Sequence, residues 1–471
     1  QRPIMILSTI FLLFFALILF VNLKELRTFL ELSYRAYEPL KGIPGPKSLP
    51  LVGSVYQFKL DSKEFFDQME QWFIYFTKLD PNRMGMLKLW LGPIPIVSLY
   101  WPDYNKVVLE SNTLIRKSNI YDMVRLWIGD GLLVSTGEKW QKRRKMLTPA
   151  FHFNVLKGYT EVFKKQGLIL VEQLESKVDT GREIDIFPYM KRCAMDIICE
   201  TAMGTHMDSQ IGGNMDYVNA VTRLSDIIYT YQRFPHLWFP PLWYATGYAF
   251  EWNRLVKLTT DFTRKVISER RSVLEDEGAF DDNENEMSPE EIRKRKPCFL
   301  DMLLLMQKAN ELSDEDIREE VDTFMFEGHD TTSSSMGFTV WFLGQHPDAQ
   351  ARLHAEIDEI FGDSDRQPDD NDIARMIYLE RCIKESLRLA PTVPFVARHL
   401  THDVNIAGIT LPENMSLILS PFGSHRDEKQ WERPDEFYPD HFLPEATANR
   451  HPYAYFPFSA GPRNCIGEKS L

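Results

Sequence analysis

Phe458-Ser-Ala-Gly461-Pro-Arg463-Asn-Cys465-Ile-Gly467, close to the end of the chain, sets one cysteine between glycines and next to an arginine. The five positions Phe458, Gly461, Arg463, Cys465 and Gly467 would coincide by chance in roughly one chain of this length in ten thousand. Glycines on both sides let backbone amides approach the sulfur, and Arg463 brings positive charge; both favour a thiolate able to bind iron, which makes Cys465 the candidate metal ligand. The other cysteines, Cys193, Cys199, Cys298 and Cys382, are spread without a CxxC pair. That usage fits buried thiols in a reducing compartment, not a disulfide framework or a zinc ribbon.

Working outward, the 471 residues are 44% hydrophobic and carry a net charge of −13. The chain is long enough for one or two sizeable cores, and its acidic balance excludes a general nucleic-acid binder. Ile4 to Val21 contains no charge and, as a helix, spans roughly 27 Å, the thickness of a bilayer core. Residues 1–23 therefore read as a membrane anchor, an N-terminal transmembrane helix. Lys24, Arg27, Arg35, Lys41 and Lys47 follow it against Arg2 alone before it, which turns the bulk of the chain toward the cytoplasm. Residues 24–53 read as a linker ending in a stiff hinge, Gly42-Ile-Pro44-Gly-Pro46, and 54–471 as the catalytic domain.

The pattern in that domain is mainly α with a small β region. Strand-like runs are Met86 to Leu99 and Val404 to Ser420; Leu156 to Val178 is periodic as a helix. Ser313 and Asp316 form a capping box for a helix from about Asp314 past Trp341. Pro347 opens another helix closed by Gly362, and a third runs from about Ile373 to Leu389. Glu275 to Glu291 reads as an acidic surface loop, and the basic Arg293–Lys296 after it as solvated linker.

The cysteine loop resembles the haem-ligand loop of the cytochrome P-450 superfamily, and further motifs extend the resemblance. Glu385-Ser-Leu-Arg388 is similar to the Glu-x-x-Arg of that superfamily's K helix, a buried charge network. The family completes the network with an arginine in Pro-x-x-Phe-x-Pro-x-Arg-Phe; here Pro434, Phe437 and Pro439 precede His441-Phe442, so His441 is a departure. Phe326-Glu-Gly-His-Asp330-Thr331-Thr332 resembles the oxygen-activating helix. The resemblance implies that Gly328 lets the helix pass the haem face, that the Thr331 hydroxyl bonds dioxygen, and that Asp330 relays protons. Glu327 with its flanks resembles family 4, in which this glutamate can be esterified to a haem methyl. Trp140-x-x-x-Arg144 resembles the pair that contacts haem propionates, and Arg398 and Arg463 fall at the other propionate positions.

The resemblance implies a cytochrome P-450 fold behind the anchor and haem b (iron protoporphyrin IX) as cofactor. It implies O2-dependent hydroxylation of a lipophilic substrate, with fatty acids or similar long chains oxidised at or near the terminus. Implied partners are an NADPH-dependent reductase, cytochrome b5, membrane lipid and no nucleic acid, at the endoplasmic reticulum membrane with the catalytic domain cytoplasmic. Lys139, Lys142, Arg143 and Lys145 form a basic patch suited to an acidic redox partner. Family members continue beyond the cysteine loop, so the domain is expected to be C-terminally incomplete. A haem-thiolate isomerase or dehydratase needing no external electrons, and a non-catalytic haem or ligand-binding protein, are the rival readings; Asp330-Thr331 argues against the first. His425-Arg-Asp427 mimics a kinase triplet without the rest of a kinase signature.

Overall fold

The computed structural model describes residues 23–79, 84–151, 157–178, 181–213, 215–277, 298–308 and 311–468. The span Ile4–Val21, the basic run Arg293–Lys296 and nearly all of the acidic segment lie outside them. Among the described residues no helix is long and apolar enough to cross a membrane. The chain divides into two compact units, Gln1–Leu99 with Ala397–Leu419, and Tyr100–Val396 with Ser420–Leu471.

The first unit contains helices α1 (Leu23–Leu40) and α2 (Ser62–Leu79) and strands β1 (Met86–Leu91), β2 (Ile94–Leu99), all but the first residue of β3 (Val396–His399), β4 (Val404–Ile406), β5 (Ile409–Leu411) and β6 (Ser416–Leu419). A four-stranded sheet runs β1-β2-β6-β3, with β1 antiparallel and β6 parallel to β2, and β4-β5 form a separate hairpin. The stretch expected as linker is thus helical up to Leu40. Leu32, Ala36 and Leu40, one turn apart, are all buried, and burying that stripe is what makes a helix of it. The Pro-Gly hinge follows, tied to β1 by a Lys88 N–H to Pro44 carbonyl bond of 2.9 Å.

The second unit is built around a long helix. Its helices include α3 (Gly137–Leu147), α4 (Phe187–Ile198), α5 (Met215–Arg233), α6 (Tyr248–Asp276), α7 (Asp314–Gln345), α8 (Pro347–Phe361) and α9 (Ile377–Leu389). The capping box at Ser313 and Asp316 is present, with the Asp316 N–H donating to Ser313 Oγ at 3.1 Å. Gly362 ends α8 at φ 56°. The helix expected from Ile373 is broken: Asp370–Arg375 forms a separate turn capped by Asp369, and Met376, at φ −77° and ψ 63°, redirects the chain before α9.

The N-terminal half of α7 is acidic and serves as an attachment rail. The amides of Asp130 and Leu132 donate to the carboxylates of Glu319 and Glu320 at 2.8 and 3.0 Å. From α3, Lys139 Nζ reaches Glu319 at 2.7 Å, and Arg143 pairs with Asp316 and, at 3.6 Å, with Glu320. Arg143 is 6% exposed, so it is not part of a surface patch; the pull of two carboxylates turns it inward, leaving Lys142 and Lys145 exposed. Asp322 accepts from Thr263 of α6 and pairs with Arg318.

Burial pushes the Glu320 carboxyl up to about 7, against the pull of the Leu132 amide and Arg143. Unfolded, this group ionises near its ordinary 4.5, so between those values the folded state holds a proton the unfolded state has lost, and stability falls as pH rises. Full linkage corresponds to roughly 3 kcal/mol. Glu320→Gln is expected to flatten the decline in melting temperature between pH 5 and 7.5; an unchanged slope would place the titration elsewhere.

Candidate functional site

The cysteine loop is held from two sides. A 3-10 turn, Gly461–Arg463, puts the Cys465 N–H on the Phe458 carbonyl at 2.8 Å. Gly461 sits at φ +69°, and a Cβ there would lie 1.8 Å from the Leu109 carbonyl oxygen, so the conformation and the contact both demand glycine. From α3, Arg144 clasps the neighbouring residue: Nη1 donates to the Asn464 carbonyl and Nη2 to Asn464 Oδ1, both at 2.7 Å. Trp140, one turn earlier, lies under the Arg463 guanidinium, 4.6 Å from ring centroid to Cζ. Arg463 also donates to the Leu133 carbonyl at 3.3 Å.

All five cysteines are free, and Cys465 is the exposed one. Burial of its loop, followed by the charge of Glu327, pushes the Cys465 thiol up to about 11; the Gly467 amide and Arg144 pull it down. Arg144 is thus a cation that favours the thiolate, and the charge of Arg463 also acts on Glu327. A metal cation bound at the sulfur would supply the stabilisation that burial withholds.

Facing this loop electrostatically, the middle of α7 presents Glu327 and Thr331. Burial raises Glu327 to about 7, opposed by Lys117 and Arg463. The Thr331 hydroxyl donates to the Glu327 carbonyl at 2.7 Å, which leaves its oxygen lone pairs as acceptors on the same face. Asp330 points elsewhere, to Lys191 Nζ of α4 at 3.2 Å, and that amine also donates to Thr222 of α5 at 3.1 Å. At Gly328 a Cβ would meet Ile198 Cδ1 at 2.7 Å, so the glycine admits α4 against α7. His329 is buried, with Nδ1 2.6 Å from the Met325 carbonyl.

Glu385, Arg388 and His441 come together, all buried. Arg388 Nε and Nη2 donate to Glu385 at 2.8 and 2.7 Å, and His441 Nδ1 lies 3.1 Å from the same carboxylate. Burial pushes Glu385 up, but the Arg388 and His441 donors outweigh it and hold the carboxyl below its usual range. Arg398 is buried on β3 in the first unit and donates to the Ala397 carbonyl at 3.2 Å. Asn464, Lys191 and Lys117 escaped sequence reasoning, because a lone asparagine or lysine signals nothing until the fold chooses its neighbour.

An accessible free cysteine in a clamped loop, opposite a helix with a carboxyl and a hydroxyl on one face, provides the protein parts of a haem-thiolate centre. The Cytochrome P450 family model matches residues 43–469, and the chain belongs to that family. It is 42% identical to cytochrome P450 4V2 of Mus musculus over 92% of this chain and 82% of that protein. Against cytochrome P450 4c3 of Drosophila melanogaster the identity is 39% over 98% and 85%, and against cytochrome P450 4c21 of Blattella germanica 38% over 98% and 89%. Membership makes this a haem-thiolate monooxygenase. Gly461→Ala is expected to keep its helical content and lose about tenfold or more of its thiolate-type carbonyl spectrum. Full retention would mean that the loop stands clear of Leu109.

Proposed function

We propose that the protein hydroxylates fatty acids or related long chains at or near the terminus, with electrons from an NADPH-dependent reductase. The observation that carries this reading is Glu327 on the same face of α7 as Thr331, within electrostatic reach of Cys465. An ester between Glu327 and a haem methyl would fix the cofactor and restrict approach to the iron, favouring the end of a chain over its middle. In this assignment Cys465 would bind the iron, Trp140, Arg144 and Arg463 would hold the propionates, and an iron with a thiolate ligand would supply the chemistry of O–O cleavage.

The chain's own residues supply protons and order. Thr331 offers its hydroxyl oxygen to a hydrogen bond while its proton rests on the Glu327 carbonyl. Asp330, 31% exposed and held by Lys191, is the next carrier and itself reaches solvent. Lys142 and Lys145 form the basic face for the reductase, and cytochrome b5 is a second candidate for it. We place the protein at the endoplasmic reticulum membrane, anchored through residues 1–23, with its catalytic domain on the cytoplasmic side.

Product analysis of the haem-loaded, reductase-reconstituted protein with a panel of fatty acids tests the substrate reading. Terminal or near-terminal alcohols are expected; intact holoenzyme that turns over none of them would remove fatty acids as the substrate class. NADPH-dependent oxygen consumption separates a monooxygenase from an isomerase or a non-catalytic binder. The double charge reversal Lys142→Glu, Lys145→Glu should lower reductase-driven kcat/KM at low salt about tenfold, with the gap closing as salt rises. Equal kinetics at low salt would remove this face as the docking site.

A further inference from the structure

Position 441 is where the resemblance to the family's charge network fails, and the surroundings of His441 contain a second guanidinium. The Glu385 carboxylate accepts from Arg388 twice, from the Tyr438 N–H at 2.8 Å and from His441 at 3.1 Å. Arg450 approaches from the opposite end of His441, with Nη2 donating to its carbonyl at 2.8 Å. The same guanidinium lies 3.7 Å from the ring centroid of Trp431, which is 1% exposed. Arg388 lies over that indole too, at 4.9 Å, and His441 meets it edge-on at 5.3 Å. One buried indole therefore contacts two guanidiniums and the imidazole that joins Glu385.

The electrostatics agree with the geometry. Burial and the like charge of Arg388 push Arg450 down to about 10, while Glu385 pulls it up, so it is a cation at neutral pH in the field of the same carboxylate. A cation against a desolvated indole is worth more than at a surface, because water no longer competes for it. From Arg450 the chain runs directly to the ligand loop. Tyr455 Oη donates to the Lys384 carbonyl at 3.0 Å, the Phe456 N–H donates to His425 Nε2 at 3.0 Å, and Phe458 accepts from Cys465.

We propose that Arg450 is a positioning residue. It supplies, through Trp431 and the His441 carbonyl, the second cation of the Glu385–Arg388 network that the family places at position 441, and so fixes the segment leading to Cys465. The inference rests on the haem-thiolate assignment and not on the substrate.

The test is a charge transplant in the haem-loaded protein, read as the fraction with a thiolate-type carbonyl spectrum and as melting temperature. Arg450→Gln is expected to lose about tenfold or more of the thiolate form, as for an uncompensated buried charge network, and Arg450→Lys to keep most of it. His441→Arg should lower that fraction in the native background, where three guanidiniums would share one carboxylate, and raise it severalfold in the Arg450→Gln background. Opposite signs in the two backgrounds establish the relocated charge. The proposal is overturned if Arg450→Gln loads haem like the native protein, if His441→Arg acts by the same factor in both backgrounds, or if the double variant fails to load haem. The last two outcomes leave Arg450 as a local contact of His441, Gln430 and Trp431 with no share in the charge network.

Discussion

Arg388 has no access to water, so each of its N–H groups must find an acceptor inside the protein. Two meet Glu385, and the others meet the carbonyls of His425 and Pro434, at 2.9 and 2.6 Å, and of Glu436, at 2.8 Å. Those carbonyls belong to irregular chain between β6 and the ligand loop, which has little regular structure of its own to hold it. An ion pair of this kind is a weak source of net stability, since desolvation consumes most of the attraction. Its value is specificity: only one path of residues 425–436 puts all the acceptors within reach, and that path delivers the chain to Cys465.

The long helix α7 plays the complementary part with its faces divided. Its first turns carry Asp316, Glu319 and Glu320, which collect α3 and the loop at 130–132. Helix α3 then uses adjacent arginines for opposite duties, Arg143 toward α7 and Arg144 toward Asn464 beside the sulfur. The side chains of α3 therefore set the spacing between α7 and the cysteine loop. This arrangement also explains why Arg143 contributes nothing to the basic face: a guanidinium with two carboxylates beside it gains more by turning inward than by staying in water.

Legibility in the sequence followed the range of the interaction. The capping box at Ser313, the length of α7, the end of α8 at Gly362 and the cysteine loop are local patterns, and they survive because backbone conformation decides them. The burial of Arg143, the Lys191 partner of Asp330 and the stack of Arg450 on Trp431 depend on which face of one helix meets another element far away in sequence. Nothing in a single chain marks Lys191 among its many lysines. The hinge region shows the intermediate case: Leu32, Ala36 and Leu40 carry a helical stripe, but positive charges beside an apolar span make it look like a tether.

Gly328 sharpens the point about faces. A glycine inside an oxygen-binding motif invites the reading that it opens room for the cofactor, yet its missing Cβ is filled by Ile198 of α4. The glycine lets α4 pack close to α7, and α4 carries Lys191, whose amine then reaches Asp330. A larger residue at 328 would displace α4 and, with it, the lysine. The motif is therefore one unit with two faces: one presents the carboxyl and hydroxyl, and another brings in the helix whose lysine pairs with Asp330.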